Sequence, residues 1–126
     1  MGAGPTLCRA SPLWAAALFA LSASVFAYSG NVATIAFVEL PAEARDTLAN
    51  VRRGPPFPYE RDGVAFGNRE KLLPAKPRGY YHEYTVRTPG VSSRGARRIV
   101  CGGKPRTPDA CWYSSDHYQS FVRIVE

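Results

Sequence analysis

The sequence predicts an α+β fold in which one helix packs on an antiparallel sheet. Two observations support this class. A single stretch near the N-terminal third has helical periodicity, and the rest of the chain consists of short runs of aromatic and β-branched residues separated by turn dipeptides such as Asp62-Gly63 and Pro89-Gly90. The length of 126 residues fits one domain.

The first 27 residues have the composition of a signal peptide. Arg9 is their only charged residue, and an apolar run at 13–27 ends in small residues of the kind that a signal peptidase reads. The run has 15 residues, fewer than the roughly 20 that span a bilayer as a helix. We therefore expect a signal peptide at 1–27 and a secreted, extracellular domain at 28–126; an uncleaved membrane anchor is the alternative.

One amphipathic helix is predicted from about residue 41 to 53. Its apolar residues recur at helical spacing: Leu40, Ala44, Leu48 and Val51. Pro41 suits a first turn, and Gly54 is a typical stop. The predicted strands lie at 32–38, 64–66, 80–86, 96–101, 112–113 and 120–125.

The charge and the cysteines restrict the partner and the chemistry. Loss of residues 1–27 removes one of 16 basic residues and none of 10 acidic ones, which leaves a net charge of +5. Such a charge suits a polyanionic partner, although it is also what solubility alone would select.

Cys101 and Cys111 remain after residues 1–27 are removed. An even number of cysteines in an exported chain predicts a disulfide, and two unpaired thiols are the alternative. Neither cysteine has the nearby cysteine or histidine residues that a zinc site needs, and no metal or other cofactor is expected.

The strand at 80–86 carries a carboxylate, Glu83, among aromatic and β-branched residues, where acids are depleted. Side chains of a strand alternate between its two faces. If Tyr84 and Val86 point into the core under the helix, Glu83 lies on the open face of the sheet, where a substrate could bind. His82 is then on the opposite face, so we expect it to be structural.

Three arginines and a histidine complete a candidate site. Arg94, Arg97 and Arg98 form a cluster that could hold a phosphate by charge-assisted hydrogen bonds. His117 can give and take protons near neutral pH, and a carboxylate base (ordinary pKa about 4.3) coexists with an imidazolium acid (about 6.5) near pH 5 to 6. This set suffices for metal-free cleavage of RNA, in which a ribose 2′-hydroxyl attacks the phosphorus. A solvated carboxylate, a surface arginine pair and a loop histidine are the alternative reading.

Five ordered blocks carry a resemblance to a known family: LPAEARDTLANV, GPPFPYERDGVAFGNRE, GYYHEYTVRTPG, SRGARRIVCGG and SDHY. Residues 40–126 closely resemble the secreted bacterial guanyl-specific ribonucleases of the barnase-like microbial ribonuclease family. The resemblance implies a helix on a five-stranded antiparallel sheet. It also implies cleavage of single-stranded RNA after guanosine to a 2′,3′-cyclic phosphate, which is then hydrolysed to a 3′-phosphate.

The resemblance also implies roles for individual residues. It makes Glu83 the general base and His117 the general acid, with Arg94 and Arg98 on the phosphate. The base-binding loop of the family matches Phe66, Gly67, Asn68, Arg69 and Glu70, with Tyr118 beside the histidine. By analogy, the Glu70 carboxylate would accept from guanine N1 and N2, the amides of Asn68 and Arg69 would donate to O6, and an aromatic ring would stack on the base.

The chain departs from its family in ways that lead to further expectations. Gly67 stands where close relatives often have Gln, so the loop could discriminate guanine less strictly. The disulfide that ties the N-terminal strand to the C-terminus in small relatives is absent, and the longer loop at 103–111 brings in Cys111, so we hypothesise a replacement bridge to Cys101. A barstar-like inhibitor protein is implied by the family, and a monomer is expected. The alternative function is a catalytically silent basic module that binds RNA.

Overall fold

The computed structural model describes residues 33–126, so the predicted signal peptide lies outside the described residues. The described elements are strand β1 (Thr34–Ala36), a short 3₁₀ helix (Phe37–Glu39), helix α1 (Ala42–Arg53), and strands β2 (Tyr81–Thr85), β3 (Arg98–Gly103), β4 (Pro108–Ser114) and β5 (Val122–Val125). The strands form one sheet in the order β1-β5-β4-β3-β2. The predicted α+β class, with one helix on five strands, is confirmed.

The sheet is mixed, so the prediction of a purely antiparallel sheet is wrong. Strand β1 pairs parallel to β5, whereas the other neighbours are antiparallel. The two strands lie at opposite ends of the described chain, and no hairpin turn sets their relative direction. The chain leaves β1 through the 3₁₀ helix and α1, and its last strand then enters the sheet beside the first.

Helix α1 occupies the predicted region and shows the predicted end signals. Pro41 immediately precedes it, and Gly54 follows it with φ of 89°, a conformation that glycine adopts without steric cost. Arg52 and Arg53 lie in its last turn, where cations interact favourably with the helix dipole. The prediction of helix bounds at about 41–53 is confirmed.

Side-chain alternation divides the strands between two apolar clusters. The larger cluster lies under the helix; its buried members are Leu40, Ala44, Leu48, Val51, Tyr84, Val86, Ile99, Cys101 and Tyr113. The smaller cluster consists of Leu73, Tyr81, Val100 and Trp112. We call the first side of the sheet the helix face and the second the cleft face. The predicted inward direction of Tyr84 and Val86 is confirmed.

Several strand predictions differ from the structure. The predicted strand at 32–38 ends at Ala36, where the 3₁₀ helix Phe37–Glu39 begins. The segment 64–66 forms only a bridge between Ala65 and His82, although the Phe66 amide also donates to the Tyr81 carbonyl. Strand β4 begins at Pro108 rather than at 112, because the residues after the bulge at Gly102/Gly103 continue the ladder with β3.

Cys101 and Cys111 face each other across β3 and β4 and form the predicted disulfide, with a Cα–Cα distance of 4.1 Å. None of the helices within residues 33–126 is long and apolar enough to cross a membrane.

Candidate active site

Glu83 lies in the middle of β2, in a cleft of about 620 Å³ on the cleft face. Its side chain is only 9% exposed, which differs from the open sheet face expected from the sequence. The reason is Tyr118, a residue of the loop between β4 and β5, whose hydroxyl donates to Glu83 Oε1 at 2.5 Å. A residue distant in sequence therefore covers part of the strand that alternation alone leaves open.

Two arginines lie close to the Glu83 carboxylate. Arg94 Nη2 lies 3.5 Å from Oε1, and Arg61 Nη2 lies 3.6 Å from Oε2. The Arg94 guanidinium is oriented by Thr85, whose Oγ1 accepts from Nη2 at 2.8 Å and from Nε at 3.1 Å. A guanidinium group therefore lies beside each of the two oxygens of the Glu83 carboxylate.

Arg98 is almost completely buried, with 2% of its surface exposed. Its Nη1 donates to the carbonyls of Gly95 at 3.0 Å and of Arg97 at 2.8 Å, and its guanidinium carbon lies 5.9 Å from the centroid of the Tyr118 ring. Its Nε has no hydrogen-bond partner within residues 33–126. A buried donor without a partner is costly, so this guanidinium is suited to an incoming anion.

The predicted arginine cluster is divided between the two faces of the sheet. Arg94 and Arg98 lie at the site, whereas Arg97 Nη1 pairs with Glu43 Oε1 of α1 at 3.6 Å. Arg97 is thus part of the helix face. This division follows from alternation, because Arg97 and Arg98 are neighbours at the start of β3.

His117 and Tyr118 occupy a tight turn after β4. Both have positive φ, 57° and 74°, which non-glycine residues seldom adopt. The amide of His117 donates to the carbonyl of Ala96 at 2.9 Å, and that of Tyr118 donates to Ser114 Oγ at 2.9 Å. These bonds hold the two rings at the cleft, with 4.9 Å between their centroids.

Asp116 stabilises the same turn from its other side. Its carboxylate accepts from Ser120 Oγ at 2.7 Å, from the Ser120 amide at 3.0 Å and from Ser114 Oγ at 2.9 Å. The bonds from Ser120, and then that from Ser114, lower the pKa of Asp116 below its ordinary value. The turn that presents His117 is therefore held by an ionised carboxylate.

The phenol of Tyr118 has a strongly raised pKa. Burial is the main cause, and the hydrogen bond and negative charge of Glu83 act in the same direction. The hydroxyl therefore stays protonated through the neutral range and serves as a donor to the carboxylate. Its ring also packs on Phe66, with 5.0 Å between centroids.

The loop predicted to bind a base lines the same cleft through Phe66, Gly67, Asn68, Arg69 and Glu70. The side chain of Asn68 is occupied within the loop: Nδ2 donates to the Leu73 carbonyl at 2.9 Å, and Oδ1 accepts from the Leu73 amide at 3.1 Å. The Asn68 side chain thus closes the loop, and a ligand would meet its main chain.

The structure brings most of the predicted site residues together. The cleft is lined by Glu83, His117, Tyr118, Phe66, Asn68, Arg69 and Glu70, with Arg94 bonded to Glu83 and Arg98 beside the Tyr118 ring. Arg61, Thr85, Leu72, Gln119 and Phe121 were not predicted, although they line the cleft or orient its groups. Arg61 directly precedes the Asp62-Gly63 turn, which the Asp62 carboxylate ties to β2. No group of three or more side chains suited to a metal occurs within residues 33–126.

Comparisons with known proteins identify the family of this chain. A family model described as ribonuclease matches residues 22–125. The chain is 52% identical over 93 residues to guanyl-specific ribonuclease Sa3 of Kitasatospora aureofaciens, which covers 74% of this chain and 64% of that protein, slightly less than two thirds of its length. It is 49% identical over 91 residues to guanyl-specific ribonuclease Sa of the same organism, which covers 72% of this chain and 92% of the relative.

The chain is also similar to solved structures of ribonucleases. Ribonuclease Sa2 in complexes with mononucleotides superposes with a TM-score of 0.71 at 46% identity, covering 78% of this chain and 98% of that one. Ribonuclease Sa2 with guanosine-2′-cyclophosphate superposes with a TM-score of 0.68 at 47% identity, covering 75% and 97%. With a family model that matches most of the chain and relatives near half identity, the chain belongs to the ribonuclease family.

Proposed function

We propose that this protein is a guanyl-preferring endoribonuclease that cleaves single-stranded RNA by metal-free transesterification. The observation that carries the proposal is that Glu83 and His117, a carboxylate and an imidazole, line one cleft together with the loop 66–70. The names of the relatives and the Sa2 structure with guanosine-2′-cyclophosphate support it. They favour an enzyme over the silent RNA-binding module.

In the first step Glu83 removes the proton of a ribose 2′-hydroxyl, which then attacks the adjacent phosphorus. His117 protonates the departing 5′-oxygen, and a 2′,3′-cyclic phosphate forms. Arg94 and Arg98 stabilise the extra negative charge on the pentacoordinate phosphorus. In the second step water opens the cyclic phosphate to a 3′-phosphate, and the two proton-transfer roles are exchanged. DNA has no 2′-hydroxyl and is not a substrate.

The contacts of Glu83 support its role as the base. Tyr118 holds Oε1, which fixes the orientation of the carboxylate and leaves Oε2 as the oxygen that faces Arg61, a more exposed side chain. We assign the 2′-hydroxyl to Oε2. The proton can then be transferred without breaking the short Tyr118 bond.

Guanine recognition is assigned to the loop 66–70. Glu70 would accept from N1 and N2, and the main-chain amides of Asn68 and Arg69 would donate to O6. Reading the edges of an unstacked base in this way is common in RNA recognition. The Asn68 side chain is hydrogen-bonded within the loop, which supports recognition of guanine O6 by the main-chain amides. Phe66 and Tyr118 are the aromatic residues of the cleft lining that could contact the base.

The test compares the turnover of GpC with that of ApC in the presence of a chelator. We expect GpC to be cleaved at least about a hundredfold faster, because a site built to hydrogen-bond one base edge rejects a base that lacks the matching groups. The first product should be guanosine 2′,3′-cyclic phosphate. Retention of RNA without any cleavage would contradict the proposal and favour the silent module.

We also propose that the protein acts outside the cell as a monomer. The composition of residues 1–27 supports export, and an acidic, barstar-like inhibitor would protect the producing cell. N-terminal sequencing of protein from the culture medium tests the first point, and we expect the sequence to begin near residue 28. An intact N-terminus on membrane-bound protein would contradict it.

A further inference from the structure

A second groove, of about 800 Å³, adjoins the candidate active site. It shares the segment 65–69 with the active cleft, so the two grooves meet along the base-binding loop. Four basic side chains line it: Arg69, Lys71, Lys76 and Arg78. We call it the basic groove. No acidic residue within the described part of the chain lines it.

The positive charge of the basic groove is not compensated locally. None of its four cations forms an ion pair with a carboxylate in the described range 33–126, and all four are exposed. Lys76 Nζ contacts the Tyr80 ring, 5.1 Å from its centroid. A different groove at the C-terminal end of α1 shows the contrast, since its arginines Arg52, Arg106 and Arg123 share their walls with the acids Asp109 and Glu126.

The wall of the basic groove is held in place by internal hydrogen bonds. The Tyr81 hydroxyl donates to the Pro74 carbonyl at 2.5 Å, and the Tyr80 amide donates to the Pro77 carbonyl at 3.1 Å. Leu73, which is 4% exposed, anchors the start of the segment in the cleft-face cluster. The segment that carries Lys76 and Arg78 is thus attached at several points along its length, and little ordering is needed on binding.

We propose that the basic groove is a second RNA subsite, which binds backbone phosphates of nucleotides beyond the guanosine that is cleaved. This inference rests on the proposed function, because it assumes that RNA occupies the adjoining cleft. Exposed, unpaired cations next to the reading site of a single strand bind phosphates without regard to sequence, and they release counterions on binding. Of the aromatic residues that line the groove, Tyr81 is buried and Phe66 packs on Tyr118 and Phe121 of the active cleft. The groove therefore offers charges for the backbone rather than a free ring for stacked bases.

The test removes two charges from the groove and two from elsewhere. The groove variant is Lys76→Gln with Arg78→Gln, and the control is Lys104→Gln with Arg123→Gln, which gives the same net charge. Each is assayed with GpC and with an oligonucleotide that has one guanosine and several uridines on both sides. For the oligonucleotide at low salt we expect the groove variant to lose about tenfold in kcat/KM, and its salt slope to fall by about 1.4.

The control variant and the GpC substrate should show little change. Equal losses in the two variants, or an equal loss on GpC and on the oligonucleotide, would overturn the subsite. A binding assay separates this inference from the proposed function. An oligonucleotide in which 2′-deoxyguanosine replaces the guanosine cannot be cleaved after that residue, and its affinity should still fall in the groove variant alone. Failure of the wild-type protein to cleave GpC would refute the enzyme, whereas unchanged affinity in the groove variant would refute the subsite.

Discussion

The two faces of the sheet are built from alternate residues of the same strands, yet they differ in chemistry. On the helix face, Tyr84 and Ile99 pack on the apolar side of α1. On the cleft face, their neighbours Glu83 and Arg98 are also buried, but they are charged. A one-residue step along the strand thus replaces an apolar core residue by a buried charged one.

The polar groups of the two faces also differ in how they are satisfied. On the helix face, the buried Thr47 Oγ1 donates to the main-chain carbonyl of Glu43 in the same helix, at 3.0 Å, and lies 3.2 Å from the Thr85 carbonyl. On the cleft face, Arg98 Nε has no partner within the described residues, and Glu83 is buried with partly exposed arginines. Burial of polar groups with incomplete partners is unfavourable. Stability should therefore come mainly from the helix face, and activity from the cleft face.

The largest expected effect is on the cleft face. Glu83→Gln should lower kcat/KM by about 10²- to 10⁴-fold, because the variant lacks the proposed general base. The free energy of unfolding should change by only about 1 kcal/mol, since Gln still accepts the Tyr118 hydroxyl bond. Steady-state kinetics and urea unfolding of the same preparation measure the two quantities. A large loss of stability with little loss of turnover would reverse the assignment of the two faces.

The matching change on the helix face is Ile99→Ala. Ile99 is completely buried under α1, and its truncation should lower the free energy of unfolding by about 2–5 kcal/mol. The kcat of the folded fraction should stay near that of the wild type, because the side chain points away from the cleft. Activity measured well below the melting temperature checks this. A selective fall in kcat would show that the two faces are coupled.

The disulfide also lies on the helix face, so its removal should affect stability rather than activity. The double variant Cys101→Ser with Cys111→Ser should lose about 3 kcal/mol of unfolding free energy, since the bond restricts the unfolded chain. Its kcat on GpC should be unchanged. Thermal unfolding with and without a reducing agent provides the measurement. Free thiols in the unreduced wild-type protein would contradict the bond itself.

The smallest effect concerns the turn that presents His117. Asp116→Asn should lower kcat/KM by about tenfold or less, because the hydrogen bonds from Ser120 weaken and the turn loosens. The lowered pKa of Asp116 means that its contribution to stability is complete above the unfolded pKa and is lost as the pH falls through the folded value. The wild type, but not the variant, should lose this contribution in acid. Identical acid unfolding curves would contradict this role.

The main features of the fold followed from local patterns. The end of α1 was predicted because a periodic apolar stretch stops at Gly54, and a glycine after such a stretch is a typical helix stop. The directions of Glu83 and Tyr84 were predicted because strand alternation has a period of two. The parallel pairing of β1 and the early start of β4 were not predicted. Both features depend on pairing with a strand that is distant in sequence, and local sequence patterns do not specify such pairing.

The candidate site was predicted less completely than the fold. Glu83 and His117 stood out because their residue types match one reaction, and the resemblance supplied the loop 66–70. The burial of Glu83 was missed because Tyr118 covers it from a turn 35 positions further along the chain. Arg61 was missed because it belongs to no periodic pattern, and only the folded Asp62-Gly63 turn brings it to the carboxylate.

The central claim is that Glu83 and His117 serve as base and acid on one phosphodiester in the cleft that both residues line. The most direct test is the pH dependence of kcat/KM for GpC in the wild type, Glu83→Gln and His117→Ala. We expect a bell-shaped profile for the wild type, loss of its acid-side limb in Glu83→Gln and loss of its alkaline limb in His117→Ala. Full activity in His117→Ala, or the same bell in all three proteins, would contradict the claim.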